Sequence, residues 1–423
     1  MLTLRACSPC KSTCSLPRTL STLTNTSTQP LLHSLSLTRS YSSLRKCKYS
    51  TSTHSPHISY RVAVSSSGKG RRLHPLKNAY NFDPAVTDVL GVSKDPSNSK
   101  SRKNRPDSGE DAFFVSRVGS TPLEQSNHQS PHPSSIAFAV ADGVGGWTES
   151  RVDPADFSHG LCTYMAQSAL SWKQPPSTLR PKNLLQSGYD AIVADPSIKA
   201  GGSTASVGIA LPDGKVELAN LGDSGSVLLR RAAVHTYSTP QTHGFNTPYQ
   251  LSIIPPRMRA QANIFGGAFL EDFPRDASVT NLTMQHGDVL MLATDGVFDN
   301  LNNQDILKTV TSRMIMTGAW TVEPESGVGI SDSLSSLTVP GGLASAFSPS
   351  REEDLEYLQS TLTLQSLLAG SISGEAKVAS VDFRRDGPFA KEAQRYYPGD
   401  YYRGGKVDDI CTLIIVAVDE SLS

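Results

Sequence analysis

Four acidic dipeptides stand where an apolar run meets a break in the pattern. Glu110-Asp111 precedes Ala112–Val115, Asp142-Gly143 follows Ile136–Ala141, Asp295-Gly296 closes the run ending at Ala293, and Asp408-Asp409 precedes Ile410–Val418. Runs of this length read as buried strands, and the ends of packed strands are rigid places to hold a side chain. A glycine beside the acid lets the backbone approach a ligand closely. Carboxylates gathered on one spot repel each other unless a cation sits among them. An oxygen-only donor set suits Mg²⁺ or Mn²⁺. Taken singly, each Asp-Gly also reads as an ordinary turn dipeptide. Their recurrence at four core strand ends favours the shared cation.

The elements that position these acids follow from the surrounding pattern. Asp153-Pro154 predicts a helix start, since Asp is a good N-cap and Pro suits the first turn; Phe157, Leu161, Tyr164 and Ala169 mark its buried face. Thr204–Leu211 and Lys215–Leu221 read as strands around a Pro212-Asp213-Gly214 turn, with Ser226–Arg230 continuing the meander. Helices are expected at Gln304–Met316, at Glu352–Leu368 with Leu355, Leu358 and Leu362 on one face, and at Phe389–Tyr396. A Ser- and Gly-rich stretch over 318–350 lacks periodicity and reads as a low-complexity surface insertion. Clustered strands with helices between and after them point to an α+β domain with antiparallel sheets rather than a parallel βαβ fold.

Bulk composition narrows the function classes. The 423 residues carry 39 basic and 39 acidic side chains, a formal net charge of zero, and the basic face that nucleic-acid binding requires is missing outside the leader. A membrane span needs about 20 apolar residues, and the longest apolar runs here are strand-sized, so no transmembrane segment is expected. The first acidic residue is Asp83; before it come Ser, Thr and Leu interspersed with Arg5, Lys11, Arg18, Arg39, Arg45, Lys46 and Lys48. That is the composition of a mitochondrial transit peptide, and Arg39-Ser40-Tyr41-Ser42-Ser43 resembles a matrix-processing site cut after Tyr41. We therefore expect 1–55 to be leader, 56–105 a poorly patterned approach, and 56–423 the functional domain. Of six cysteines, four (Cys7, Cys10, Cys14 and Cys47) lie in the leader without a His at zinc-ligand spacing, and Cys162 and Cys411 read as core residues.

Six ordered strings carry a family resemblance from Gly109 to Asp419. They are Gly109-Glu110-Asp111-Ala112, Ala141-Asp142-Gly143-Val144-Gly145-Gly146-Trp147, Gly202-Ser203-Thr204-Ala205, Leu221-Gly222-Asp223-Ser224-Gly225, Ala293-Thr294-Asp295-Gly296-Val297 and Lys406-Val407-Asp408-Asp409-Ile410. Their order resembles that of the PPM family, the metal-dependent type 2C protein serine/threonine phosphatases. The tract Gln241 to Leu251, with Gly404-Gly405-Lys406, is similar to the mitochondrial branch. The resemblance implies a four-layer α-β-β-α sandwich with a binuclear Mg²⁺ or Mn²⁺ site at one edge. It implies that Asp142 bridges both ions, Gly143 ligates through its carbonyl, Asp295 and Asp408 hold one metal, and Asp111 serves the other. It assigns Glu110 to orienting water and Arg105 to gripping the substrate phosphate. Two ions about 3.5–4 Å apart would lower the pKa of a shared water that attacks phosphorus in line. Phosphoproteins of the mitochondrial matrix, including those of coenzyme Q biosynthesis, are the partners it implies.

The sequence departs from the family pattern in three places. Val144 replaces a His proposed to protonate the leaving alkoxide, Arg105 stands one position out of register, and Lys199 lies where some members carry an acid for a third metal. A catalytically inactive pseudophosphatase acting as a binding module is the alternative; inactive relatives usually lose a metal ligand, and Asp142, Asp295 and Asp408 are all retained. Gly222-Asp223-Ser224-Gly225 resembles a serine-protease loop, yet the His context of that family is missing, so Asp223 reads as a hairpin tie. Gly201-Gly202-Ser203-Thr204 lacks the Lys of a phosphate loop. His243 reads as structural rather than as a metal ligand.

Overall fold

The computed structural model describes residues 57–74, 78–84, 86–92, 105–119, 135–265, 269–325, 327–344, 362–399 and 401–422. The leader, its cysteines, the expected processing site and most of the helix expected at 352–368 lie outside the described residues. The strands that matter here begin with β1 (Ile58–Ser67), β2 (Ala79–Phe82), β3 (Val89–Leu90), β4 (Asp111–Arg117) and β5 (Ile136–Asp142). Next come β6 (Ala205–Ala210), β7 (Lys215–Leu221), β8 (Gly225–Arg230), β9 (Ala233–Tyr237), β10 (Ser278–Thr283), β11 (Val289–Ala293) and β12 (Ile410–Asp419). One antiparallel sheet runs β9-β8-β11-β12-β1-β2 and the other β10-β7-β6-β5-β4-β3.

Strand alternation divides the core into three apolar layers. On β5, Ile136, Phe138 and Val140 meet Cys411, Leu413 and Ile415 of β12 between the sheets. Ala137, Ala139 and Ala141 face the opposite way, as side chains on a pleated strand must. There they meet Phe157, Leu161 and Met165 of α1 (Pro154–Leu170) and Leu184, Leu185 and Ile192 of α2 (Pro181–Ala194). On the far side, Met291, Ile414 and Val416 pack against Ile306, Val310 and Met314 of α3 (Asn303–Met316) and against Leu364, Leu368 and Ile372 of α4 (Leu364–Val381). The result is the expected four-layer α-β-β-α arrangement. Asp153 caps α1 as anticipated, its Oδ1 accepting from the Ala155 amide at 3.1 Å. Cys162 and Cys411 are buried free thiols. Among the described residues no helix is long and apolar enough to cross a membrane.

Two expectations are corrected. The approach segment contains β1, ten residues paired from Ile58↔Asp419 to Ser67↔Ile410 with the strand that carries the last acidic motif. Its alternation (Ile58, Tyr60, Val62 and Val64 all face the inter-sheet core) is masked in the sequence by the Ser-rich run that precedes it. The stretch at 318–344 is not a surface insertion. Trp320–Glu323 pairs with Gly327–Ile330, and Trp320, Leu334, Leu337 and Leu343 enter the helix-side core. Its apolar anchors are too far apart for a periodic signal. We expect Trp320→Phe, which removes the 3.1 Å bond from Nε1 to the Gly287 carbonyl, to cost about 1–2 kcal/mol. Val322→Ala, on the exposed side of the same hairpin, should stay within about 0.5 kcal/mol. Urea denaturation of the two variants checks this.

Candidate metal centre

The last residue of β5 faces the first of β4: Asp111 stands directly opposite Asp142 in the ladder. By strand alternation both project into the layer between the sheets, at its edge. Like charges directly opposite destabilise an antiparallel pair, and the electrostatics agree. Burial, reinforced by Asp409, pushes Asp111 well above the usual carboxylate range. Burial and the charge of Asp295 do the same to Asp142. Asp111 Oδ2 accepts a 2.7 Å hydrogen bond from Thr294 Oγ1, which stitches the two sheets together just past the end of β11. Its Oδ1 is buried with no hydrogen-bond partner among the described residues.

The glycine-rich strings hold the backbone around Asp142. The Asp142 carbonyl accepts from the Thr204 amide at 2.9 Å and from Ser203 Oγ at 2.8 Å, and Val144 donates its amide to Gly202 O at 3.0 Å. Thr204 Oγ1 in turn pairs with Ser224 Oγ at 2.8 Å. Gly143 donates to the Glu110 carbonyl at 3.1 Å, which binds the first two acidic dipeptides into one unit.

Asp295 opens a one-turn helix, Asp295–Phe298, and the next residue must be glycine. A Cβ on Gly296 would fall 1.9 Å from the Asp409 carbonyl oxygen. That close approach brings the start of this helix against the start of β12. Asn300, buried within the same turn, donates from Nδ2 to Gly296 O at 2.8 Å and Lys406 O at 2.9 Å, and accepts from the Lys406 amide at 2.9 Å. Lys406 is thereby clamped, and its Nζ lies 2.7 Å from Asp295 Oδ2, 2.6 Å from Asp299 Oδ2 and 3.0 Å from Asp408 Oδ2. Among the described residues no trio of carboxylate, imidazole or thiolate groups stands ready as a metal cage. Where three carboxylates do meet, the ammonium is the ion between them. Burial opposes the charge on Asp295, but Lys406 outweighs it and holds that carboxyl below its ordinary value. Asp299 is raised, by burial and then by Asp295.

The remaining candidates fall around this core. Glu110 is half-buried, and burial followed by the charges of Asp409 and Asp408 raises its carboxyl to about 7. Asp409 is buried and accepts from the Glu110 amide at 2.7 Å and from the Lys69 amide, so it anchors two loops. Arg105 is largely buried, with Nη2 on Asp156 Oδ1 at 2.7 Å. Val144 packs with Trp147, Ala200 and Ile254 in a small apolar cluster, and Lys199 is exposed. His243 lies 3.0 Å from Asp272 and stacks on Tyr249 at 4.3 Å.

Three participants were not identified from sequence: Asp223, Asp299 and Lys406. Asp223 does more than tie a hairpin. Burial and Asp295 push it up to about 7, and with Asp299 and Phe389 it lines a cavity of about 330 Å³ beside the acids. The signal available for Asp299 was its four-residue spacing from Asp295, which places both on one helical face. Lys406 stands in two of the strings that carry the family resemblance, but its type and spacing alone give it no role beside the acids.

These residues fit divalent cations. The donors are hard oxygens, two carboxylates oppose each other across a ladder, and one buried carboxylate oxygen has no partner among the described residues. Asp111, Asp142, Asp295 and Asp408, with the Gly143 carbonyl, are the groups that would hold them.

The sequence profile of the family described as "Protein phosphatase 2C" matches residues 125–321. The chain is 36% identical over 244 residues to "Protein phosphatase 2C homolog 7, mitochondrial" of Saccharomyces cerevisiae, covering 57% of this chain and 66% of that protein. It is 32% identical over 354 residues to "Protein phosphatase PTC7 homolog fig" of Drosophila virilis, covering 82% of this chain and 91% of the relative. A solved structure, that of the photosystem II phosphatase PBCP, aligns with 78% of this chain and 98% of its own at 23% identity and a TM-score of 0.48. The extended likeness to the PTC7 phosphatases places this chain in the protein phosphatase 2C family of metal-dependent protein serine/threonine phosphatases.

Proposed function

We propose that this chain hydrolyses phosphoserine and phosphothreonine on mitochondrial proteins, using a pair of Mg²⁺ or Mn²⁺ ions. The observation that carries the reading is the opposition of Asp111 and Asp142 at the sheet edge, with Asp295 and Asp408 brought alongside by the Gly296–Asp409 contact. Bound ions of this kind supply a nucleophile at neutral pH and neutralise charge developing on the phosphoryl oxygens.

The side chains divide the remaining work. Asp142, held through its carbonyl by Ser203 and Thr204, would be a central ligand of the pair. Asp295 and Asp408 serve one side, and Asp111 with the Gly143 carbonyl the other. Glu110, on the loop that Asp409 anchors, orients the attacking water by hydrogen bonding. Arg105, steadied by Asp156, grips the substrate phosphate. Val144, packed in an apolar cluster, has no proton to give, so the leaving alkoxide takes its proton from water or another donor. The cavity beside Asp223 and Phe389 accommodates residues flanking the phosphorylated one.

The acid-free basic leader and the mitochondrial designation of the yeast relative support a matrix location. Matrix phosphoproteins, including those of coenzyme Q biosynthesis, are then the substrates. The test is hydrolysis of a phosphothreonine peptide by the full chain, together with protease protection of the protein in isolated mitochondria. We expect turnover with Mn²⁺, its loss in EDTA and its return on adding metal back. Metal-independent turnover would overturn the reading, and Mn²⁺ binding without turnover would establish the binding-only alternative.

A further inference from the structure

The ammonium of Lys406 is not a surface charge that wandered in. Its backbone is gripped on both sides by the buried Asn300 amide, its side chain is only 17% exposed, and its Nζ lies 5.0 Å from the centre of the Phe389 ring. Asp295, Asp299 and Asp408 contact the ammonium within 2.6–3.0 Å, and Asp223 and Tyr402 also feel its charge. Three carboxylates surround one compact cation, and carboxylate oxygens are the donors that a hard divalent ion prefers. A lysine ammonium is a point charge with three donors, and here each donor has a carboxylate to meet.

We infer that Lys406 is a built-in substitute for a divalent cation: its ammonium fills the pocket of Asp295, Asp299 and Asp408 beside Asp223, and so limits how many metal ions the centre takes. The inference rests on the metal-centre reading above. The lysine is a positioning residue. It holds one oxygen each of Asp295 and Asp408, while the other oxygen of Asp408 accepts from the Asp409 amide at 3.1 Å. Because it is covalently attached, its occupancy does not depend on metal concentration.

The test counts Mn²⁺ bound to the full chain by titration calorimetry, with free Mn²⁺ followed by electron paramagnetic resonance. Lys406→Gln should bind one ion more than the wild type, melt at a lower temperature in EDTA, and gain more than the wild type on adding Mn²⁺. Lys406→Arg, which keeps the charge, should bind the wild-type number. The double variant Lys406→Gln with Asp299→Asn should return to the wild-type count. An unchanged or smaller number for Lys406→Gln would overturn the inference. Failure of that variant to fold when Mn²⁺ is present throughout would also overturn it, because a divalent ion would then be unable to replace the ammonium. A wild type that binds no Mn²⁺ would overturn the metal-centre reading itself, and this inference with it.

Discussion

Asp142→Asn should lower kcat/KM on a phosphothreonine peptide by about 10³-fold or more, roughly 4 kcal/mol of transition-state stabilisation. The same change should raise the melting temperature of the metal-free protein. Both effects have one cause. Asp142 opposes Asp111 in the ladder, and without metal its charge is resisted by burial and by Asp295. A carboxyl whose pKa is raised on folding binds its proton more tightly in the folded chain than in the unfolded one. Its contribution to stability therefore falls as pH rises through and above the ordinary carboxylate range. Asparagine removes that unfavourable contribution at neutral pH, but it also removes the anionic oxygens proposed to hold the ions. Steady-state kinetics in Mn²⁺ and thermal melting in EDTA separate the two. A variant that is both inactive and less stable would point to a folding role for Asp142 rather than to ligation.

Gly296→Ala should be the most damaging single-methyl substitution near the site. The new Cβ would lie 1.9 Å from the Asp409 carbonyl oxygen, a contact only a backbone shift can relieve. Overpacking of this kind costs about 1–3 kcal/mol in an ordinary core, and a rigid carbonyl places this case at about 3 kcal/mol or above. Where the chain yields instead of unfolding, the turn carrying Asp295 and Asn300 moves away from Lys406 and Asp408. A displacement near 1 Å in catalytic geometry costs about a hundredfold in rate. The contrast is Gly370 in the middle of α4, where a Cβ would meet nothing within 4 Å; Gly370→Ala should stabilise by up to about 1 kcal/mol. Chemical denaturation of the two variants, with kcat/KM for each, checks both magnitude and sign.

The acidic dipeptides were legible because each sits at a boundary between an apolar run and a turn, so composition and position point to the same residues. The sandwich was legible for a similar reason, since strands such as Ile136–Asp142 alternate between two buried layers. What stayed hidden depends on three-dimensional adjacency. Asp223, Asp299 and Lys406 come from separate connections and meet only because β8, β11 and β12 are neighbours in one sheet. No local pattern encodes that order. The first strand was hidden by its surroundings: Ile58–Ser67 ends in three serines and follows a Ser- and Thr-rich leader, so its period-two pattern was submerged. The segment around Trp320 was misread because a short hairpin and a single turn at Leu334–Leu337 are held by a few large side chains rather than by a repeating face.

The central claim concerns where the metal sits, and anomalous diffraction at the manganese edge tests it most directly. Crystals of the full chain grown in Mn²⁺ should show paired anomalous peaks against Asp142, one reached by Asp295 and Asp408 and the other on the side of Asp111 and Gly143, with the Lys406 ammonium still between Asp295 and Asp299. Peaks elsewhere on the chain, or none at these carboxylates in a preparation that hydrolyses phosphothreonine, would contradict the account.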